Sequence, residues 1–513
     1  MDFTPVAPLF QTDAYKLDHR RQYELAGNVT RVYSNYTNRG SRIPDIDRVV
    51  HFGLQAFLET YAASFEPFFA ADEDHVAAAY DARLTQILGP NQIGTDHIRA
   101  LHRLGYLPLR FAAVPEGTAV PLRIPSFTIE NTHPDFFWLT NYVESVLSAE
   151  VWQASTAATI AKAMRETLDA GAERTGTDPA TVDWQGHDFS YRGMSSNETA
   201  AMTGAAHLLS FTGTDSLVSL DWIERHYGGN YVAGSVAATE HSVMCAGIAT
   251  VGEQQLFENL LDLYPTGIVS VVSDTFDLWK VLTEYLPALR NEILARDGKL
   301  VIRPDSGDPV DILCGAPLST PPLEGGGRQA SDPRDLQEPA QKGVIELLWD
   351  TFGGTVNDAG FKVLDSHIGA IYGDSITRER AAEIIDRLAA KGFASGNVVF
   401  GMGSYGYQYQ TRDTFMSAIK ATWIEVDGRA VDIRKDPITD SGTKRSAAGR
   451  LSVVTAPGGK LALIERATPT EEAESLLQPI WEDGIFIRRQ DFADVRTVLA
   501  EQTVLTSKEF ARA

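Results

Sequence analysis

Lys299 to Asp311 reads KLVIRPDSGDPVD, three apolar residues running straight into Arg303, Asp305, Ser306 and Gly307. A cation, a carboxylate, a hydroxyl and a glycine in one turn are the groups that a metal-chelated phosphate would need. The design recurs: residues 268–272 end in Ser273-Asp274, 369–372 in Gly373-Asp374, and 397–400 in Gly401-Met402-Gly403-Ser404. His187 to Gly193, HDFSYRG, adds an aromatic face at Phe189 and a cation at Arg192. Ser195 and Glu198 follow with the spacing of a capping box, and a helix start beside an arginine suits an anion. Phe211 to Asp215 makes another strand-end turn closing on a carboxylate. Glu240-His241 stands at a helix start, where the imidazole could be a nucleophile or half of a metal site, with Asp274 available to orient it.

A short apolar run, a polar turn and a helix, repeated, are parallel βα units whose strand ends gather at one face. The intervening segments fit. Phe276, Trp279, Leu282 and Leu286 fall on one helix face, as do Ile376, Ala381, Ile384, Ile385 and Leu388. Residues 31–39 alternate as a strand, 51–61 are spaced as a helix, and Phe136, Phe137, Trp138, Val143 and Val151 read as core. Residues 315–342 are rich in Pro, Gly and charge and read as an exposed, mobile insertion without catalytic groups.

A chain of 513 residues exceeds one ordinary core, so the prior is two domains, or a barrel with a sizeable appendage. Lys plus Arg number 45 against 68 Asp plus Glu, a net charge of −23, which disfavours nucleic acid or an anionic membrane as partner. Anionic ligands would therefore need a local positive island, and Arg412, Lys420, Lys435 and Lys444 follow close behind the glycine turn. No stretch has the length and apolarity of a membrane span and the N-terminus lacks a secretory pattern, so a cytoplasmic location is expected. Cys245 and Cys314 lack metal-like spacing and are expected as buried free thiols.

DAYK at 13, HDFSYRG at 187, GTD at 213, EHS at 240, SVVSD at 270, IRPDSG at 302, GD at 373, TRD at 411, KDP at 435 and KRSAAGR at 444 come in order over nearly the whole chain. Together they resemble the nicotinamide phosphoribosyltransferases, which join nicotinamide to phosphoribosyl pyrophosphate (PRPP). The resemblance implies an irregular α/β barrel of the type II phosphoribosyltransferase fold over 151–412, and a flanking α+β domain built from both chain ends, 1–150 and 413–513. It further implies a pentosyltransferase of NAD salvage, a homodimer with a shared active site, Mg²⁺, and ATP as co-substrate. Three departures stand out: the insertion at 315–342 is longer than expected, Ser404 occupies a turn where the family has glycine, and Met402 sits close by.

On this resemblance Phe189 is one face of a slot for the pyridine ring, with Tyr15 of the other subunit opposite. Asp215 hydrogen-bonds the ligand amide, Ser235 joins the substrate-binding set, and Arg303 and Asp305 contact ligand and ribose. Asp274 lies near ribose, metal and His241, and Asp274 and Asp305 are the implied metal ligands. Gly373, Asp374, Gly403 and Ser404 hold the product's ribose and phosphate, with Arg412 on the phosphate. Arg192 meets pyrophosphate, while Arg39, Lys420, Lys435 and Lys444 meet the phosphates of PRPP or ATP. His241 matches the family's phosphorylated histidine. The chemistry agrees. Displacing pyrophosphate develops positive charge on the ribose and negative charge on the leaving group, which carboxylates on one side and Mg²⁺ with arginines on the other stabilise. The pyridine nitrogen is already a nucleophile, so catalysis rests on positioning the ring. Nicotinate phosphoribosyltransferase is the alternative. Asp215 argues against it, because that carboxylate would repel the carboxylate of nicotinate. A non-catalytic metabolite-binding protein would not need His241, Asp274 and Asp305 together.

Overall fold

The computed structural model describes residues 3–229, 231, 233–317, 337–435, 437–439 and 445–501. Most of the expected insertion, 318–336, and Lys444 lie outside the described residues. The chain divides into two compact units, one of residues 1–159, 221–231 and 410–513, the other of 160–220 and 232–409.

The second unit holds the βα repeats. Its strands are β1 (Gly186–Asp188), β2 (Gly213–Thr214), β3 (Ala237–Ala238), β4 (Thr266–Val272), β5 (Asp297–Arg303), β6 (Ile368–Tyr372) and β7 (Val398–Met402). They form one sheet in the order β2-β1-β7-β6-β5-β4-β3, every neighbouring pair parallel. Gly213 of β2 also bridges Gly234, just ahead of β3, so the sheet curls until its two ends meet. Strands of a parallel sheet are covered on both faces. Accordingly all five residues of β6 are buried, as are four of the five in β7. The helices that follow include α1 (Asn197–His207), α2 (His241–Val251) and α3 (Arg378–Ala390), the last burying Ala381, Ile384, Ile385 and Leu388 as its spacing requires.

Local readings needed correction at several points. The capping box of α1 is Ser196 with Thr199, one residue beyond the Ser195–Glu198 pair, because the helix starts at Asn197. Phe276 is exposed: Asp277 caps a helix that begins only at Leu278, and a π-helical turn over Val281–Tyr285 then resets the buried face. Residues 337–342, read as insertion, already belong to the helical segment Gln337–Phe352, which kinks at Gly343 where φ is 79°. Cys314 is buried, but Cys245 is exposed on α2.

The first unit is built around a seven-stranded sheet. Its order is Arg429–Asp432, Ser417–Val426, Val29–Asn38, Pro125–Asn131, Leu109–Ala113, Gln478–Glu482 and Ile485–Phe486. Val29–Asn38 pairs antiparallel with Ser417–Val426, so the two chain ends share one sheet. Phe136, Phe137, Trp138, Val143 and Val151 all lie in its core.

Candidate active site

The carboxyl ends of the barrel strands surround a cavity of about 710 Å³, the size of a small-molecule site. Each strand end delivers a group. Phe189 follows β1, and its N–H donates to Met402 O at 3.0 Å, tying the aromatic turn to the end of β7. The ring rests on glycine backbone: a Cβ at Gly401 would lie 2.4 Å from Phe189 Cδ2 and 2.6 Å from Gly373 Cα, and one at Gly373 would lie 2.9 Å from the ring. Both glycines are therefore part of the aromatic seat. Gly193 packs as closely on Ser404, the residue that departs from the glycine turn.

Asp215 follows β2. Its Oδ1 accepts from His187 Nε2 at 3.0 Å and from Ser235 Oγ at 2.5 Å, so Oδ2 is the oxygen left to a ligand. Burial pushes this carboxyl up, but the His187 and Ser235 hydrogen bonds, with the charges of His187 and Arg303, hold it below the ordinary value. Beneath it, His207 is fully buried, and burial pushes its imidazole down to about 4. As a neutral ring it donates from Nε2 to Gly213 O at 3.1 Å and accepts Tyr407 O–H at Nδ1, 2.7 Å away, which anchors β2.

The acidic side of the cavity comes from β4, β5 and β6. Asp274 Oδ2 accepts the Asp305 N–H at 2.8 Å and the Ser306 hydroxyl at 2.5 Å. Arg303 donates from Nη2 to Thr239 O at 2.8 Å, and burial pushes its pKa down against the pull of Asp305 and Asp215. For Asp305, burial raises the carboxyl, Arg303 lowers it, and Asp274 and Asp374 raise it again. Gly373, Asp374 and Ser375 line the cavity after β6, with Ser375 at φ 51°. A side chain held at positive φ beside a cavity is strain of the kind found at functional turns.

Among the described residues no three His, Cys, Asp or Glu side chains form a metal cage. Mg²⁺, however, is commonly held by one or two carboxylates with substrate phosphates and water. Asp274 Oδ1, buried and without a hydrogen-bond partner among the described residues, fits that mode of binding.

Of the expected site residues, Phe189, Arg192, Asp215, Arg303, Asp305, Gly373, Asp374, Gly403 and Ser404 line this one cavity. Ser235 reaches it through Asp215, and Asp274 through Asp305. His241 Nε2 lies 3.7 Å from Asp305 Oδ2, so its carboxylate neighbour is Asp305 and not Asp274, whose Oδ2 is taken up by the backbone and hydroxyl of the next strand end. The remaining residues belong to the first unit. Arg39 and Lys420 line a separate cavity of about 420 Å³ there, with Arg123, Arg445 and Glu465. Tyr15 is 65% exposed, Lys435 is exposed, and Arg412 pairs with Asp413 at 3.0 Å. His187 was not anticipated as a site residue. Its signal was present: it stands two residues before Phe189, and in an extended chain alternate side chains share a face.

Two solved structures share the architecture, at identities that bear on the fold alone. Nicotinate-nucleotide pyrophosphorylase from Pyrococcus furiosus superposes with a TM-score of 0.56 at 17% identity, covering 96% of this chain and 94% of its own. Human nicotinic acid phosphoribosyltransferase gives 0.53 at 16%, covering 98% and 95%. The fold class is thus the α/β barrel of the type II phosphoribosyltransferases. Residues 184–484 match the model of the nicotinate phosphoribosyltransferase (NAPRTase) family. A nicotinamide phosphoribosyltransferase of Acinetobacter baylyi is 45% identical over 512 residues, 97% of this chain and 98% of that protein. One of Mycoplasma pneumoniae is 35% identical over 460 residues, 87% and 96%. The chain belongs to the nicotinate phosphoribosyltransferase family.

Proposed function

We propose that this protein transfers the phosphoribosyl group of PRPP to nicotinamide, giving nicotinamide mononucleotide and pyrophosphate, with ATP hydrolysis coupled through His241. The observation that carries the choice of base is Asp215, a carboxylate in the same cavity as Phe189 whose titration is held below the ordinary value and whose Oδ2 meets no donor among the described residues. It can accept a carboxamide N–H and would repel a second carboxylate. The names of the relatives, nicotinamide phosphoribosyltransferase in both organisms, support the same reading. Nicotinate remains the competing substrate and is the one the family's name describes.

In the reaction the ring nitrogen attacks C1 of the ribose, the C1–O bond to pyrophosphate breaks, and its electron pair leaves with the pyrophosphate. Asp305 is the carboxylate for the positive charge that develops on the ribose, Arg303 contacts ligand and ribose beside it, and Arg192 is the cation for the leaving group. Asp274 and Asp305 would hold Mg²⁺, which when bound offsets pyrophosphate charge. Phe189 on its glycine seat orients the ring, and no general base is required. His241 takes the γ-phosphoryl of ATP on a ring nitrogen, with ADP leaving, and Asp305 is its counter-charge.

The protein is proposed to be cytoplasmic and a homodimer with Tyr15 contributed by the partner copy; the dimer is supported by α2, an apolar helix that buries only Met244 and leaves Val243, Cys245 and Val251 exposed. No helix of the described residues is long and apolar enough to cross a membrane. The deciding experiment is nucleotide formation and pyrophosphate release with nicotinamide and nicotinate side by side. Preference for nicotinate would overturn the assignment of the base.

A further inference from the structure

We propose that Glu144 is a positioning residue for this reaction, one carboxylate that sets both the Tyr15 segment and the charge of Lys420. The inference rests on the reading of Tyr15 and Lys420 as ligand-contacting groups. Glu144 is the first residue of the helix Glu144–Thr175, directly after the helical turn Leu139–Tyr142. Its Oε2 accepts from Lys16 Nζ at 2.7 Å, and Lys16, only 3% exposed, also donates to Asn141 O at 2.9 Å. A buried ammonium requires such a partner. Ser145, the next residue, accepts the Asp13 N–H at 3.2 Å and donates to the Asp13 carboxylate. Thr12 Oγ1 donates to Tyr142 O at 2.7 Å. Residues 141–145 therefore grip the chain on both sides of Tyr15 while the Tyr15 ring, with Lys16 Nζ 5.6 Å and the His19 ring 5.5 Å from its centroid, stays largely exposed.

The other oxygen of Glu144 serves the second cavity. Oε1 lies 3.7 Å from Lys420 Nζ. Lys420 is crowded by cations: burial depresses its pKa, Glu144 raises it, and Arg39, Lys435 and Lys16 depress it further. Arg445 and Glu465 line the same cavity. Glu144, 3.7 Å away, is the carboxylate whose charge favours the Lys420 ammonium against the opposing charges of Arg39, Lys435 and Lys16. An ammonium that loses its proton loses its phosphate, so the carboxylate acts on phosphate binding through Lys420 without touching the ligand.

The test is Glu144→Gln, which keeps the volume and an oxygen for Lys16 but removes the charge, with Glu144→Asp beside it. KM for PRPP should rise about fivefold or more. The alkaline limb of kcat/KM for PRPP should move down by about one pH unit in Glu144→Gln, and Glu144→Asp should return it toward wild type. A merely structural bridge would lower the melting temperature and leave the limb in place. A folded Glu144→Gln protein with unchanged KM and limb overturns the proposal. If Glu144→Gln does not fold, Lys420→Arg decides: a guanidinium does not titrate in this range, so the limb should vanish, and its persistence overturns the proposal. A wild-type protein that forms no nucleotide from nicotinamide and PRPP defeats the functional reading instead, whereas an active wild type with an unaltered Glu144→Gln defeats only this inference.

Discussion

Replacing Asp215 by Asn isolates the charge on which the choice of base depends. Asn fills the same volume. Its carbonyl can keep the His187 and Ser235 hydrogen bonds at Oδ1, and its NH₂ then stands where Oδ2 was. Two carboxylates about 4 Å apart at an effective dielectric near 20 repel by roughly 4 kcal/mol. Asp215 is 44% exposed, so solvent screening removes at least about half of that repulsion. Arg303 and His187 offset part of the remainder. On the order of 1.4 kcal/mol survives, about a tenfold discrimination against nicotinate in the native protein. Asp215→Asn should lower kcat/KM for nicotinamide, raise it for nicotinate, and narrow their ratio about tenfold. The assay is initial rate of nucleotide formation with each base for both proteins. A ratio unchanged by the substitution would refute the argument that Asp215 reads the amide.

Other perturbations probe separate parts of the molecule. His241→Ala should abolish nicotinamide-stimulated ATP hydrolysis and leave a weaker ATP-independent transfer, measured as ADP and nucleotide formed per unit time; undiminished ATPase would remove His241 from the coupling. Gly401→Ala puts a methyl group 2.4 Å from the Phe189 ring, so KM for nicotinamide should rise about tenfold, the cost of an overpacked seat, with little change in the PRPP term. In the first unit, Tyr227 donates to the buried Glu116 Oε2 at 2.6 Å, where the carboxylate also accepts N–H groups of Gly53 and Gln55. Burial holds the Glu116 carboxyl above its ordinary value in spite of those bonds, so its contribution to stability is full at low pH and is lost as pH rises through the raised value. Tyr227→Phe removes a bond to the ionised form. The denaturant midpoint should fall by the equivalent of about 1–3 kcal/mol, more at pH above the raised Glu116 value than below it.

Much of the site could be read from the chain because its groups sit at the ends of short apolar runs. Arg303 ends a strand and Asp305, Gly373, Asp374, Gly403 and Ser404 follow one within two residues, and parallel βα topology brings all strand ends to one face wherever the strands lie in the sheet. Core positions such as Ile384, Leu388 and Trp138 were equally legible, since helical periodicity and sheer apolar volume leave them few alternatives. Side-chain partnership was not legible. That His241 faces Asp305 and Asp274 does not, that His187 and Ser235 share one oxygen of Asp215, and that Glu144 joins Lys16 to Lys420 all depend on distances between residues far apart in sequence. Helix starts near Ser196 and Leu278 likewise turned on backbone geometry at a single residue. Residue types and periodicity determine which segments are buried and which edge is polar, because burial is a property of each segment's own composition. Which polar group meets which is decided only when strand order and curvature are set, because a shift of one residue in register moves a carboxylate by about 3.3 Å and exchanges its partner.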